Sequence, residues 1–238
     1  MYVKTEAIVL SSIKYRDTDL IVNCYTKALG IVSFMVKGVL KSKKGKFKPS
    51  MFQALSLIDI EVQYRKKGHL EYFKDVQISQ HLNSLQSNIY KSSIVMFLAE
   101  ILKSVIIEEE QNEKLFDFIK KNILSLENAK HYANFHLNFL LELSSFLGFY
   151  PRKPEHDYDI YFNLSEGYFE PEESAYSMTA QHSVILKSML DNIAQTKTLN
   201  LSKVERRDML KLILSFYELH IENFRRPKSL EVFESIFS

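Results

Sequence analysis

One cysteine, no tryptophan, six glycines and five prolines are spread over 238 residues. A lone cysteine, Cys24, rules out an internal disulfide framework and fits a reducing compartment. It also removes the paired thiols of the common structural zinc motifs. So little glycine and proline excludes collagen-like and linker-like sequence, and 46% hydrophobic residues supply the material for real cores. No apolar run approaches the roughly 20 residues of a membrane span. The N-terminal "MYVKTE" shows no basic–apolar–small leader pattern, so the expectation is a soluble cytoplasmic protein.

Catalytic signatures are missing as well. "GVLKSKKGKF" suggests a phosphate loop, but six residues separate Gly38 from Gly45 where that motif has four, and Phe47 follows Lys46 in place of Ser or Thr. The stretch runs into Pro49 rather than a helix. No serine stands in a G-x-S-x-G elbow. His131 and His136 are five apart, off a shared helical face, and His156 beside Asp157 and Asp159 reads as a hydrated loop. The acidic run "IIEEEQNE" (106–113) reads as a solvated helix end, and Cys24 in an apolar strand as a small core residue. The expectation is a protein that is not an enzyme, with no cofactor and no metal.

One further absence is local: there is no acid between Asp19 and Asp59, where seven lysines occur. Residues 1–76 hold 14 Lys and Arg against 7 Asp and Glu, while the remaining 162 hold 17 against 22. A basic third followed by an acidic remainder points to regions with different partners.

The basic third reads as strands. "TEAIVLSSI", "DLIVNCYT", "GIVSFMVKG", "ALSLIDIEVQY" and "HLEYFKD" are short and rich in Val, Ile, Tyr and Phe. In the fourth, Ile58, Ile60, Val62 and Tyr64 alternate with Asp59, Glu61 and Gln63. Five short antiparallel strands suit a Greek-key barrel of the OB-fold type. From about residue 80 the apolar spacing becomes helical: 94–106, 115–123, 135–147 up to Gly148, 180–193, 204–223 and a short last helix at 229–237. Residues 150–177, rich in tyrosine and acid, read as a loop with a small hairpin around Glu166-Gly167. The expected class is α+β and multidomain: an OB-fold barrel over 1–78, then an all-helical domain over 79–238 with a loop and hairpin insertion.

The densest basic stretch, Val36 to Phe52, carries Lys37, Lys41, Lys43, Lys44, Lys46 and Lys48. A solvated loop is the plain alternative. Three features favour a polyanion: the run does not alternate with acids, aromatics lie within or near it (Phe34, Phe47, Phe52, Tyr15, Tyr25, Tyr64, Tyr72), and a second basic turn, Arg65-Lys66-Lys67, belongs to the same barrel. Cations along a backbone with rings for bases are what a single strand requires. An anionic membrane normally calls for a basic amphipathic helix or a lipid signal, and neither is present. Five lysines on phosphates give a log–log salt slope of about −3.5.

"KTEAIVLSSIKYRDTDLIVNCYTKALGIVSFMVKGVLKSK" resembles the N-terminal barrel of the RecO recombination-mediator family. Glu6 to Leu10, Tyr15 with Asp19, Thr26, Gly30, Lys37-Gly38 and the return at Pro49 to Phe52 carry the likeness. Leu147-Gly148-Phe149 and Lys228 to Phe233 extend it along most of the chain. The resemblance implies binding of single- and double-stranded DNA, strand annealing, and loading of RecA together with RecR and single-strand-binding protein, in a nucleoid-associated setting. The DNA-binding set is then Lys37, Lys41, Lys43, Lys44, Lys46, Lys48, Arg16, Arg65, Lys66 and Lys67. It also implies a helical-domain pocket for the acidic tail of single-strand-binding protein, for which Arg206 and Arg207 are the candidates. Lys203, Lys211, Arg225, Arg226 and Lys228 are further cations there. Many members carry a four-cysteine zinc site where this chain has a cysteine-free 150–178, so no zinc is carried over. The family's Arg-Phe-Glu before Leu-Gly-Tyr is here Asn138-Phe139-Leu140. An RNA-binding barrel or a protein-interaction adaptor are the other readings of the residues.

Overall fold

A computed structural model describes residues 1–41, 45–65, 70–106, 111–195 and 199–237. Five strands come first: β1 (Tyr2–Tyr15), β2 (Asp19–Thr26), β3 (Gly30–Val36), β4 (Leu57–Gln63) and β5 (Phe73–Ile78). Their order is β3-β2-β1-β4-β5, and each neighbouring pair is antiparallel. Glu71, just before β5, closes the sheet onto β3. Its N–H donates to the Ser33 carbonyl at 2.9 Å, and its carbonyl accepts the Met35 N–H at 2.8 Å. The result is a five-stranded Greek-key barrel, the OB-fold arrangement, which removes the open edges a flat sheet would expose. The alternating apolar residues of each strand fill it: Val22, Cys24, Phe34, Ile58, Ile60 and Val62 are all buried.

The strand pattern differs from expectation in one place. The fifth strand, expected over 69–75, lies at Phe73–Ile78. The register of β4 against β5 shifts between Glu61 and Val62, so Phe73 and Val76, three apart, are both buried in the barrel core. Period-two alternation misses such a bulged edge strand. Pro49–Phe52 is a single 3-10 turn rather than a plain return into β4. Proline suits its first position, where its missing N–H costs nothing, and the turn buries Phe52.

Among the described residues, seven helices and a hairpin follow: α1 (Asn83–Ser87), α2 (Ile89–Val105), α3 (Glu113–Asn128), α4 (Phe135–Phe146), β6 (Tyr161–Asn163), β7 (Tyr168–Glu170), α5 (Ala180–Gln195), α6 (Lys203–His220) and α7 (Leu230–Phe237). Their starts are chemically marked. Asn88 accepts from the amides of Tyr90 and Lys91, Asn112 from Leu115, and Ser202 with Glu205 forms a capping box. The short α1 has no periodic stripe to announce it. It is held from outside, by the Glu127 carboxylate accepting the Ser84 and Leu85 amides at 2.9 Å each.

Strand gives way to helix between Ile78 and Asn83, but the compact units part later. One comprises residues 1–130 with 227–229, the other 131–226 with 230–238. Side-chain links explain why α3 stays with the barrel. The Tyr25 hydroxyl donates to the Asn112 carbonyl at 3.0 Å, Lys27 pairs with Asp117 at 2.9 Å, and Lys120 pairs with Glu6. In the second unit α4 and α6 share a buried bond from the Tyr217 hydroxyl to the Leu140 carbonyl, 2.6 Å. Gly148 ends α4 at φ +90°, a left-handed value that favours glycine.

Candidate nucleic-acid interface

The lysine segment leaves β3 through Gly38, whose φ is +65°. The Gly38 N–H donates to Asp19 Oδ1 at 2.8 Å, and the Leu40 N–H to the Thr18 carbonyl at 2.9 Å. Those two bonds tie the lysine segment to the β1–β2 turn that carries Arg16. The Gly38 N–H, followed by the Thr18 hydroxyl, holds the Asp19 carboxyl below its usual range. At the other loop, the Arg65 N–H donates to the buried Glu71 carboxylate at 2.9 Å, so Arg65 is pinned to the residue that closes the barrel.

The cations have unequal freedom. Lys37 Nζ lies 5.2 Å from the Tyr72 ring centroid, and the Arg16 guanidinium 5.3 Å from that of Tyr15. Lys41, Lys48 and Arg65 are exposed or half-buried and make no ion pair among the described residues. Lys46 differs. It donates to the Lys74 carbonyl at 2.6 Å and pairs with Asp75 at 3.2 Å, and that partnership lowers the Asp75 pKa. Lys43, Lys44, Lys66 and Lys67 lie outside the described residues.

The aromatics sort themselves by burial. Phe34 and Phe52 belong to the core, Phe34 stacking on Phe73 at 4.0 Å and Phe52 on the same ring at 5.6 Å. Phe47 is half-buried, edge-on to both Phe52 and Phe73. Tyr25 is buried and Tyr64 packs on the core. Tyr15 and Tyr72 remain, 38% and 43% exposed, each beside a cation. OB-folds engage nucleic acid with the loops after strands one and four and the face of strands two and three. Tyr72 lies in the loop after strand four, and Tyr15 ends strand one at the edge of the loop that follows it.

In the second unit a cavity of about 230 Å³ is lined by His136, Arg206, Arg207, Leu210, Phe233 and Phe237, among others. Arg206 Nη1 donates to the Leu201 carbonyl at 2.6 Å, while its Nε is buried with no partner among the described residues. Arg207 is exposed, 3.5 Å from Asp208. Burial, and secondarily the Arg206 charge, pulls the His136 pKa down to about 3, so the ring is neutral. His136 and Phe237 are cavity residues that sequence reasoning did not assign. Phe233 and Phe237, one helical turn apart on α7, were the available signal. Arg226 belongs elsewhere: it grips Glu218 through two bonds of 2.7 Å.

Residues 1–82 match the family model described as Recombination protein O N terminal, and residues 86–231 the model described as Recombination protein O C terminal. The chain belongs to the RecO family. It is 42% identical to DNA repair protein RecO of Christiangramia forsetii and 39% identical to that of Flavobacterium psychrophilum, over the whole of both chains in each case. The RecO of Bacteroides fragilis is 36% identical, again end to end. RecO proteins are DNA repair proteins, and the family is one of recombination mediators rather than of catalysts. No helix among the described residues is long and apolar enough to cross a membrane.

The zinc site carried by many RecO proteins does not fit the residues present here. Between 150 and 178 there is no cysteine, and among the described residues no three of His, Cys, Asp and Glu gather to hold a metal. The hairpin is fastened by Asn163 instead. Its Nδ2 donates to Glu170 at 3.0 Å and Ser174 at 3.1 Å, and its Oδ1 accepts the Ser165 N–H at 2.9 Å. Phe162 and Phe169 pack edge-on beneath it, 5.1 Å between centroids.

Proposed function

We propose that the chain binds single- and double-stranded DNA through its barrel and anneals complementary strands. In this reading it works with RecR and single-strand-binding protein to load RecA, on the nucleoid. One observation carries the DNA assignment. The start of the lysine segment is tied to the β1–β2 turn through Gly38 and Leu40, and Arg65 is held by the Glu71 carboxylate, so Arg16 and Arg65 stand in the loops after strands one and four that OB-folds use for nucleic acid, with Lys37, Lys41 and Lys48 in the connection after β3. Lys43, Lys44, Lys46, Lys66 and Lys67 belong to the same basic set by sequence. Lysines on phosphates read no bases, so binding is blind to sequence. Annealing follows from the same charge, because neutralised phosphates let two strands approach.

The cavity of the second unit supports a role for Arg206 and Arg207. Apolar walls with two guanidinium groups in the lining suit an apolar side chain next to a carboxylate, as at the acidic tail of single-strand-binding protein.

Charge reversal tests the barrel assignment. Lys41, Lys43, Lys44 and Lys46 are replaced by Glu, and single-strand binding and annealing are followed against salt. Affinity at low salt falls steeply, and the log–log slope shrinks by about 0.7 for each phosphate no longer neutralised. Unchanged low-salt affinity discards the site. Competition between matched RNA and DNA strands tests the nucleic-acid class, a strong RNA preference pointing to an RNA-binding barrel.

A further inference from the structure

Tyr72 is held more firmly than its exposure suggests. Glu71 before it is 2% exposed and forms both backbone bonds that close the barrel. Phe73 after it is buried between the rings of Phe34 and Phe52. The ring of Tyr72 is therefore carried on a backbone fixed on both sides, yet 43% of the residue faces solvent. Lys37 stands beside it at 5.2 Å, at the start of the lysine segment. An ordered, exposed ring next to a cation matches the geometry of a nucleotide, a flat base joined to a phosphate.

We infer that Tyr72 stacks on an unpaired base while Lys37 holds an adjoining phosphate, and that this pair sets the preference for single strands over duplex. The inference rests on the DNA-binding reading above. A paired base inside a duplex has both faces covered by its neighbours and offers none to Tyr72. Phosphates are present in both forms, so Lys37 serves both. Tyr15 with Arg16 is the lesser candidate, because Arg16 follows Tyr15 directly and lies in the turn at φ +52°.

The test uses the full chain, labelled oligothymidylate and a hairpin duplex of matched length, with anisotropy read over a salt series. Tyr72→Ala lowers single-strand affinity roughly 5- to 100-fold and leaves the salt slope unchanged. Duplex affinity stays within about twofold, since the substitution removes only the stacking on an unpaired base. Tyr72→Phe keeps single-strand affinity within about threefold, because the ring face is retained. Lys37→Ala weakens both forms and reduces both slopes by about 0.7 to 0.9. A strand containing 2-aminopurine is quenched on binding the wild type and less so by Tyr72→Ala. Wild-type affinity in Tyr72→Ala, or an equal loss on strand and duplex, overturns the inference while leaving the DNA reading intact. A wild-type chain that binds neither form overturns both.

Discussion

In the barrel, Lys37 and Arg16 rest over tyrosine rings, and Lys41 and Lys48 reach solvent with no carboxylate bound among the described residues. In the second unit, Arg226 grips Glu218 twice, Lys153 holds Asp191 at 2.5 Å, and Arg206 donates to a backbone carbonyl. Both regions are rich in cations by count. They differ in what the backbone places within reach. Helices of the second unit bring Asp191 and Glu218 alongside Lys153 and Arg226, and the barrel likewise pairs Lys4 with Glu61 and Lys46 with Asp75, whereas the loop after β3 arises in a stretch with no acid between Asp19 and Asp59. A cation already satisfied contributes little to an incoming polyanion, so pairing rather than density marks the binding face.

Removing the barrel's support should have the largest effect. Phe34→Ala leaves a cavity against Phe73 and is expected to cost about 3–5 kcal/mol in denaturant unfolding. DNA binding should fall with it, although Phe34 touches no solvent.

Acid should sharpen the second unit's side of the contrast. His136 is held neutral, with its pKa depressed to about 3, while an unfolded chain protonates near 6.5. The unfolded state therefore binds the extra proton between those values, and stability falls as pH drops through that window. His136→Leu should remove a slope that grows from about 0.7 kcal/mol per pH unit at pH 6.5 to about 1.4 near pH 5, read as the difference between wild-type and variant unfolding curves.

Arg226→Ala should cost about 0.5–1 kcal/mol, as its pair with Glu218 is partly exposed, and should leave single-strand affinity unchanged. The bonds from Arg226 hold the Glu218 pKa below its ordinary value. That stabilisation is present above the unfolded carboxylate pKa and disappears as pH falls through the depressed one. An Arg226→Ala chain that lost DNA affinity would erase the distinction between the two sets of cations.

The smallest effect separates lysines within one segment. Lys46→Ala should reduce single-strand affinity less than Lys41→Ala does, because Lys46 is engaged by Asp75. Its stability should hardly change, as is usual for an exposed pair. Equal losses for the two lysines would show that the Asp75 pair yields freely to phosphate.

The barrel was legible because its strands are half-buried and alternate. Ile58, Ile60 and Val62 point inward and Asp59 and Gln63 outward, as their order along the chain requires. The long helices were legible for the same reason at another period. What escaped lacks a local signal. The five-residue α1 is fixed by Glu127, more than forty positions away. The true course of β5 depends on a bulge at its own Lys74, which has no partner in the β4 register. At the candidate site, the basic residues could be read from composition, but their partners could not. Lys41 and Lys46 look alike in sequence, and only folding brings Asp75 to one of them. Exposed and buried rings are equally mixed: nothing local distinguishes Tyr72 from Phe73 except the alternation that Glu71 begins.

Cys24 lies fully buried in β2, and burial raises the pKa of its thiol well above the ordinary value. With no second cysteine in the chain, a thiol-reactive reagent has one place to go and must wait for the strands to separate. The labelling rate of the unmodified protein is thus a clock for the opening of its β-barrel, and a ligand that tightens the barrel should slow that clock.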